Sequence, residues 1–422
     1  MNALDLAYLA VAGAAMPWWI RKRRHGWRER FGHAEIPASH ERAILLHAVS
    51  VGEVNALRAL VPRLAQEAPV VVSVGTDTGI ARARELFSGT AAVVRYPIDA
   101  SWMVRRFLDA VRPRLVALVE LEVWPNFIAE CQRRGIPVGV INGRLSERSF
   151  RGYRRARLLL GPSFRRLAFA AVQDEAYAAR FLAMGVQPDR CVVTGSMKWD
   201  AVKIEDGAPG AERLAAELGI DRSRPLVVAG STGPGEEALL HAACPADVQL
   251  LCAPRKPERF DEAAAGLPGC VRRSHQRAGT GATRFLLDTI GELRGAYALA
   301  QVVVVGRSFG NLFGSDPVEP IALGKPTMMG PASSDFESMV RPLEAGGGLI
   351  RTTRESLGAD LRALLSDGAR RASIAQAGRR VILERQGATE RHAALLLRAW
   401  GEAWPGPGAV GTDAPPGATL GL

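Results

Sequence analysis

The chain has 422 residues, 47% of them hydrophobic, which is too long for one ordinary domain and apolar enough to fill two cores. Its 54 Lys and Arg against 43 Asp and Glu leave a formal charge of +11, an excess that suits a phosphorylated substrate, an acidic membrane or nucleic acid. Nucleic acid ranks last, because no zinc-finger spacing, aromatic RNA-binding signature or long basic tail is present. The five cysteines, odd in number and never C-x-x-C, exclude a disulfide framework and a structural zinc and read as small buried apolar residues.

From Ala3 to Ile20 runs an apolar stretch interrupted only by Asp5, followed at once by Arg21, Lys22, Arg23 and Arg24, then Arg28 and Arg30. Apolar before basic is the reverse of a signal peptide. Residues 1–30 are therefore expected to form an in-plane or partly inserted membrane anchor, with the basic cluster and Trp18, Trp19 and Trp27 at an anionic surface. An ordinary core helix is the alternative.

Short β-rich runs then alternate with amphipathic segments: Ala43–Val49, Val70–Val74, Ala92–Arg95, Leu115–Val119, Val138–Ile141, Ala168–Val172 and Cys191–Thr194. The rhythm breaks at the Pro/Gly-rich stretch after Glu205 and restarts with Leu226–Ala229, Gln249–Ala253, Phe285–Leu287, Val302–Val305 and Thr327–Met329. Strands separated by helices predict parallel sheets. The chain thus reads as α/β, with two doubly wound Rossmann-like domains facing a cleft: 31–205, a linker at 206–222, and 223–403. Residues 404–422 are expected to be a disordered tail.

In such sheets ligands bind beyond the carboxyl ends of the strands. Glu53 follows the first strand at a helix start, placed to act as a base or merely as a helix-dipole partner. Glu120 and Glu122 end another strand, where at most one of them is expected to line a cleft. The loop Asn142–Ser149 is Arg-rich, fit for an anion or for solvent. In the second series the Gly-rich turn Ala229–Glu237 offers backbone N–H groups for a phosphate, yet it is no Walker A loop. Pro254–Arg259 adds two guanidiniums and an ammonium at the next strand end.

The order of these motifs, together with Arg30-Phe31-Gly32, Tyr96–Asp99, Val193–Asp200, Ile290–Leu293 and Pro317–Pro320, resembles the 3-deoxy-D-manno-octulosonic acid (Kdo) transferase family from the apolar stretch to roughly residue 385. The resemblance implies a GT-B glycosyltransferase that moves Kdo with inversion from CMP-Kdo to a lipid A precursor (lipid IVA) in lipopolysaccharide core biosynthesis. It also implies no metal or other cofactor, and a place at the cytoplasmic face of the inner membrane. The family's general base falls on Glu53 and its transition-state stabilising residues on Glu120 and Lys198. Its nucleotide contacts fall on Pro254, Arg255, Ile290, Gly291, Glu292, Asp316, Pro317, Val318 and Glu319, with Ser231, Thr232 and Ser308 as donor-phosphate contacts.

The chain departs from the family pattern chiefly in one loop, where Arg307 and Phe313 replace glycines, Ser315 replaces His and Asp316 replaces Asn; the family's His is also missing at Gly233 and is Lys at Lys256. An added carboxylate beside a phosphodiester repels it unless a cation compensates, and a charge pair between Arg307 and Asp316 is the expected compensation. Two alternatives follow: a transferase of the same fold with another activated acidic sugar, and a non-catalytic glycolipid-binding relative. Retention of Glu53, Glu120, Lys198, Arg255 and Glu319 together argues against the second.

Overall fold

The computed structural model describes residue 5 and residues 26–275 and 281–401. Two compact units result: Met1–Ala201 with Gln386–Leu422, and Val202–Arg385.

The first unit holds β1 (Ile44–Ala48), β2 (Val70–Val74), β3 (Ala92–Arg95), β4 (Leu115–Val119), β5 (Val138–Gly143), β6 (Phe169–Val172) and β7 (Cys191–Val193). They form one sheet in the order β3-β2-β1-β4-β5-β6-β7, parallel throughout. Parallel strands covered by helices on both faces need apolar residues at every position, which explains runs such as Val70–Val74 and Leu115–Val119. Strand alternation divides them between two cores. Leu45, Val71, Val116 and Val140 pack on one face; Ile44, Leu46, Val72 and Ala117 pack on the other.

The second unit repeats the plan with β8 (Leu226–Thr232), β9 (Gln249–Pro254), β10 (Val271–Arg272), β11 (Arg284–Leu286), β12 (Val302–Val305), β13 (Thr327–Met329) and β14 (Ile350–Arg351). Its order is β10-β11-β9-β8-β12-β13-β14, again parallel. In each sheet the winding reverses beside the first strand, between β1 and β4 and between β8 and β12. Such switch points are where α/β sheets bind ligands.

The expected domain boundaries need correction. Residues 206–222 do not form a linker: they contain the helix Ala211–Leu218, whose Ala211, Leu214, Ala215 and Leu218 are buried, the i, i+3, i+4, i+7 spacing of a helix with one apolar face. The helix Ala388–Gly401, assigned to the second domain, returns to the first, where Ala388, Ala393 and Leu396 join the core under β1. The tail 404–422 lies outside the described residues.

Most of the expected anchor also lies outside them, but Asp5 and residues 26–30 are described. Asp5 is wholly buried and accepts hydrogen bonds from the Ser101 amide (2.8 Å) and hydroxyl (2.6 Å) and from Asn126 Nδ2 (3.2 Å). Arg30, expected at a lipid surface, instead pairs with Asp77 at 3.2 Å. Both hold this part of the chain to the protein. Among the described residues no helix is long and apolar enough to cross a membrane. Cys131, Cys244 and Cys252 are buried and all five cysteines are unpaired; burial raises the Cys244 thiol to about 11.

Candidate active site

In the first unit, β1 runs into Ser50, the N-cap of the helix Val51–Ala56. Ser50 Oγ accepts the Glu53 amide at 3.3 Å and donates to Glu53 Oε1 at 2.8 Å, while the Val49 amide donates to Oε2 at 2.7 Å. This is a capping box: Ser-x-x-Glu satisfies orphan amides at a helix start, and it fixes both carboxylate oxygens. Glu53 is 9% exposed. Burial raises its pKa above the ordinary value, the Val49 and Ser50 hydrogen bonds lower it, and the charge of Glu120 raises it again. Cap and poised base are thus compatible descriptions of one side chain.

Glu120 and Glu122 lie beyond the extended strand. The strand ends at Val119, and Glu120 adopts φ 59°, a left-handed conformation uncommon for a non-glycine residue. Its amide donates to the Ile141 carbonyl at 3.0 Å, and its carbonyl accepts the Arg144 amide at 3.3 Å. The reversal brings Glu122 into the same electrostatic field as Glu53 and Glu120. Burial, then the charge of Glu53, lift Glu122 to about 7, opposed by a hydrogen bond from Trp124 Nε1 at 3.0 Å. Three carboxyls therefore gather at the β1/β4 switch point.

A proton held by the folded state stabilises it at low pH, and the contribution is lost as pH rises from the unfolded value near 4.5 to about 7. Wild type is expected to lose thermal stability across that window, whereas Glu122→Gln, a neutral isostere, flattens the profile. Melting curves read the difference.

Lys198, half-buried in the loop after β7, was placed by family resemblance alone. The structure reveals what holds that loop. Asn142, at φ 50° and fully buried, accepts the Met197 amide on Oδ1 at 3.1 Å and donates its own amide to His392 Nε2 at 3.0 Å. Asp200 accepts the Gly387 and Thr389 amides at 2.7 and 2.5 Å, and Arg391 Nε donates to the Thr194 carbonyl at 2.8 Å. His392, wholly buried, is depressed to about 3 and stays neutral, as an acceptor on Nε2 requires. One strand end, Ile141–Arg144, thus fixes both the Glu120 turn and the Lys198 loop. Sequence reading named Asn142 only as the start of an Arg-rich loop and missed its link to His392, since a contact over 250 residues leaves no local signal.

Asn142→Gly tests the coupling: glycine tolerates φ 50° but removes the Met197 acceptor. Turnover is expected to fall about tenfold or more, since small misplacements of catalytic groups are costly, with KM little changed and the fold retained.

In the second unit the Gly-rich turn is not a vacant phosphate nest. Buried Glu236 fills it. Its Oε2 accepts the amides of Gly233 (2.7 Å) and Arg307 (2.6 Å), and its Oε1 those of Ser308 (2.9 Å) and Phe309 (3.0 Å). Gly306 must be glycine, because a Cβ there would meet Thr232 Cα at 2.6 Å and Glu236 Oε2 at 2.8 Å. The expected donor-phosphate contacts at Thr232 and Ser308 are corrected accordingly: both are 0% exposed, Thr232 Oγ1 donates to Glu237 at 2.5 Å, and Ser308 Oγ donates to Val305 O at 2.6 Å. Ser231, at φ 57°, is half-buried and remains the accessible member of the three. Glu237 in turn pairs with Arg259 at 3.0 Å.

Arg255 is exposed beyond β9 and Pro254 is buried. Ile290 is 73% exposed on the turn before the helix Leu293–Leu299, beside Gly291 at φ 92°. Glu292 accepts Arg273 on both oxygens, at 3.1 Å each in the closest contacts. Asp316 Oδ1 accepts the Val318 amide at 2.8 Å across Pro317, a bond that an Asn oxygen could equally accept. Val318 is wholly buried and serves packing. Glu319 lies 3.6 Å from Arg294; burial raises its pKa, Arg294 lowers it and Asp316 raises it. Buried Tyr297 senses the charges of Glu319, Asp316 and Arg255, which places those groups together. Arg307, expected to pair with Asp316, contributes its backbone amide to Glu236.

This doubly wound α/β architecture is the GT-B class of glycosyltransferases. The HepE protein of Anabaena in complex with UDP matches 85% of this chain and 100% of its own with a TM-score of 0.59 at 15% identity, and a glycosyltransferase of Rickettsia africae matches 85% and 98% with a TM-score of 0.56 at 11% identity. At the sequence level, a family model described as 3-deoxy-D-manno-octulosonic-acid transferase matches residues 25–201. The 3-deoxy-D-manno-octulosonic acid transferase of Bordetella pertussis is 33% identical over 420 residues, covering 92% of this chain and 96% of that protein. Its counterpart in Haemophilus influenzae is 30% identical over 411 residues, covering 93% and 95%. The chain belongs to the 3-deoxy-D-manno-octulosonic acid transferase family and is a glycosyltransferase.

Proposed function

We propose that the chain moves Kdo from CMP-Kdo to a hydroxyl of a lipid A precursor with inversion, at a cytoplasmic membrane surface and without a metal. The observation that carries the reading is the carboxyl cluster at the β1/β4 switch point, where Glu53 is held by two hydrogen bonds and its pKa is raised toward the range of a working base. Glu53 takes the acceptor proton as the acceptor oxygen bonds to the anomeric carbon of the donor, and the bond to the CMP phosphate breaks. Lys198 and Glu120, fixed through Asn142 and Ile141, stabilise the charge that develops. Glu122, neutral below about 7, spares the site a third negative charge.

On the donor side, Arg255 is the cation for the leaving phosphate. Glu319 accepts the ribose hydroxyls, as acidic residues do in nucleotide sites, and the Ile290–Glu292 turn meets the base. Ser315, where the family has His, supports a ligand here, because its buried hydroxyl has no partner among the described residues.

Isothermal titration with CMP tests this half of the reading. Wild type is expected to bind, and Asp316→Asn to bind about fivefold tighter once one repulsive charge, worth about 1 kcal/mol near a surface, is gone. Equal affinities would remove the argument for an altered nucleotide loop; no binding by either protein would overturn the CMP-donor assignment.

A further inference from the structure

The helices Glu147–Arg155 and Arg157–Arg165 follow β5 directly. Their inner side is anchored: Phe150, Tyr153 and Leu160 pack on the first unit's core, and Tyr153 senses the charge of Glu122. Their outer side combines exposed leucines with exposed arginines. Leu158 is 98% exposed and Leu159 57%, in a stretch where Arg148, Arg154, Arg155 and Arg157 are also exposed. From 147 to 166 the sole acid is Glu147, and it is engaged by Arg151 at 3.3 Å and Arg180 at 3.4 Å. Among the described residues no carboxylate pairs with Arg148, Arg154, Arg155 or Arg157; Arg154 lies over the Phe150 ring at 5.8 Å.

Single exposed leucines are ordinary, and a basic face alone is a solvated face. Two adjacent exposed leucines within a stretch that carries four exposed arginines without a carboxylate partner match neither description. They match an interfacial element, whose apolar residues enter the headgroup boundary while cations meet lipid phosphates. Nucleic acid satisfies the arginines and leaves the leucines in water. We propose that the Arg148–Leu159 face docks on an anionic bilayer. The docking rests on this surface alone. Its purpose rests on the reading above: with Tyr153 linking the inner side to Glu122, a docked bilayer brings a lipid acceptor's headgroup beside the carboxyl cluster.

Flotation of the full chain with vesicles tests it. Wild type is expected to partition onto vesicles of phosphatidylethanolamine and phosphatidylglycerol far better than onto pure phosphatidylcholine. Arg154→Ser/Arg155→Ser/Arg157→Ser is expected to weaken anionic partitioning about a hundredfold, roughly fivefold per arginine near such a surface. Leu158→Ser/Leu159→Ser is expected to weaken it about tenfold, from lost apolar burial. Both variants should melt as wild type does and act normally on detergent-dispersed acceptor. Leu158→Ser, at a fully exposed site, serves if a multiple variant misfolds. Unchanged partitioning of the variants, no preference of wild type for anionic vesicles, or losses confined to RNA binding would each overturn the proposal. Inactivity of wild type toward Kdo transfer would count against the proposed reaction and leave the vesicle result standing.

Discussion

Glu53→Gln is expected to lower the transfer rate by about 10²- to 10⁴-fold, the range for loss of a general base. The substitution is chosen because Glu53 has two roles. Removing its carbon chain as well would strip the capping box, at about 1 kcal/mol, and confuse folding with chemistry. Gln keeps one acceptor oxygen and nearly the same shape. The stability cost is the same in either case, so the rate discriminates: if Glu53 is only a cap, Glu53→Gln leaves the rate nearly unchanged, and if it is also the base, the rate falls while most of the protein remains folded. The wild-type pH profile adds a second reading. Burial and Glu120 raise the Glu53 pKa, so activity is lost as pH falls through a value above 4.5, and that acid limb should vanish in the variant's residual activity.

Glu236→Ala carries the largest expected effect on stability. It leaves four amides, of Gly233, Arg307, Ser308 and Phe309, without their acceptor. Each buried unsatisfied donor costs about 1–3 kcal/mol, so the summed loss reaches much of the roughly 5–15 kcal/mol by which domains are stable. The expected result is a second unit that unfolds at markedly lower denaturant, with hydrogen exchange at Gly306–Phe309 accelerated first. Unchanged exchange there would mean that Glu236 does not hold the two loops. Glu236→Gln should recover part of the loss, because its amide oxygen still accepts while its NH₂ faces donors.

That same residue marks a limit of sequence reading. A strand, a Gly-rich turn and an acidic helix start read as a phosphate nest, and nothing local reveals that the acid belongs inside it. Central strands were legible because both faces are buried, so Val302–Val305 reads as a continuous apolar run. β10 and β14 were not, since two half-buried residues at a sheet edge, Val271–Arg272 and Ile350–Arg351, carry no pattern. Glu120 and Glu122 were picked out, but only one was expected at the cleft, whereas the left-handed turn at Glu120 leaves both within the field of Glu53. The return of the helix Ala388–Gly401 to the first unit, and with it the His392–Asn142 contact, depends on pairing across most of the chain. Arg255, Asp316 and Glu319 came from motif order, and Tyr297 beneath them emerged only from the packing.

The most direct measurement is transfer from CMP-Kdo, generated in situ, to a tetraacylated lipid A precursor by the purified full chain, with the product identified by mass and repeated in the presence of EDTA. The account predicts an acceptor carrying added Kdo, formed equally well with chelator and absent with Glu53→Gln. No product from wild type, while another CMP-activated acidic sugar is transferred to the same acceptor, would contradict it.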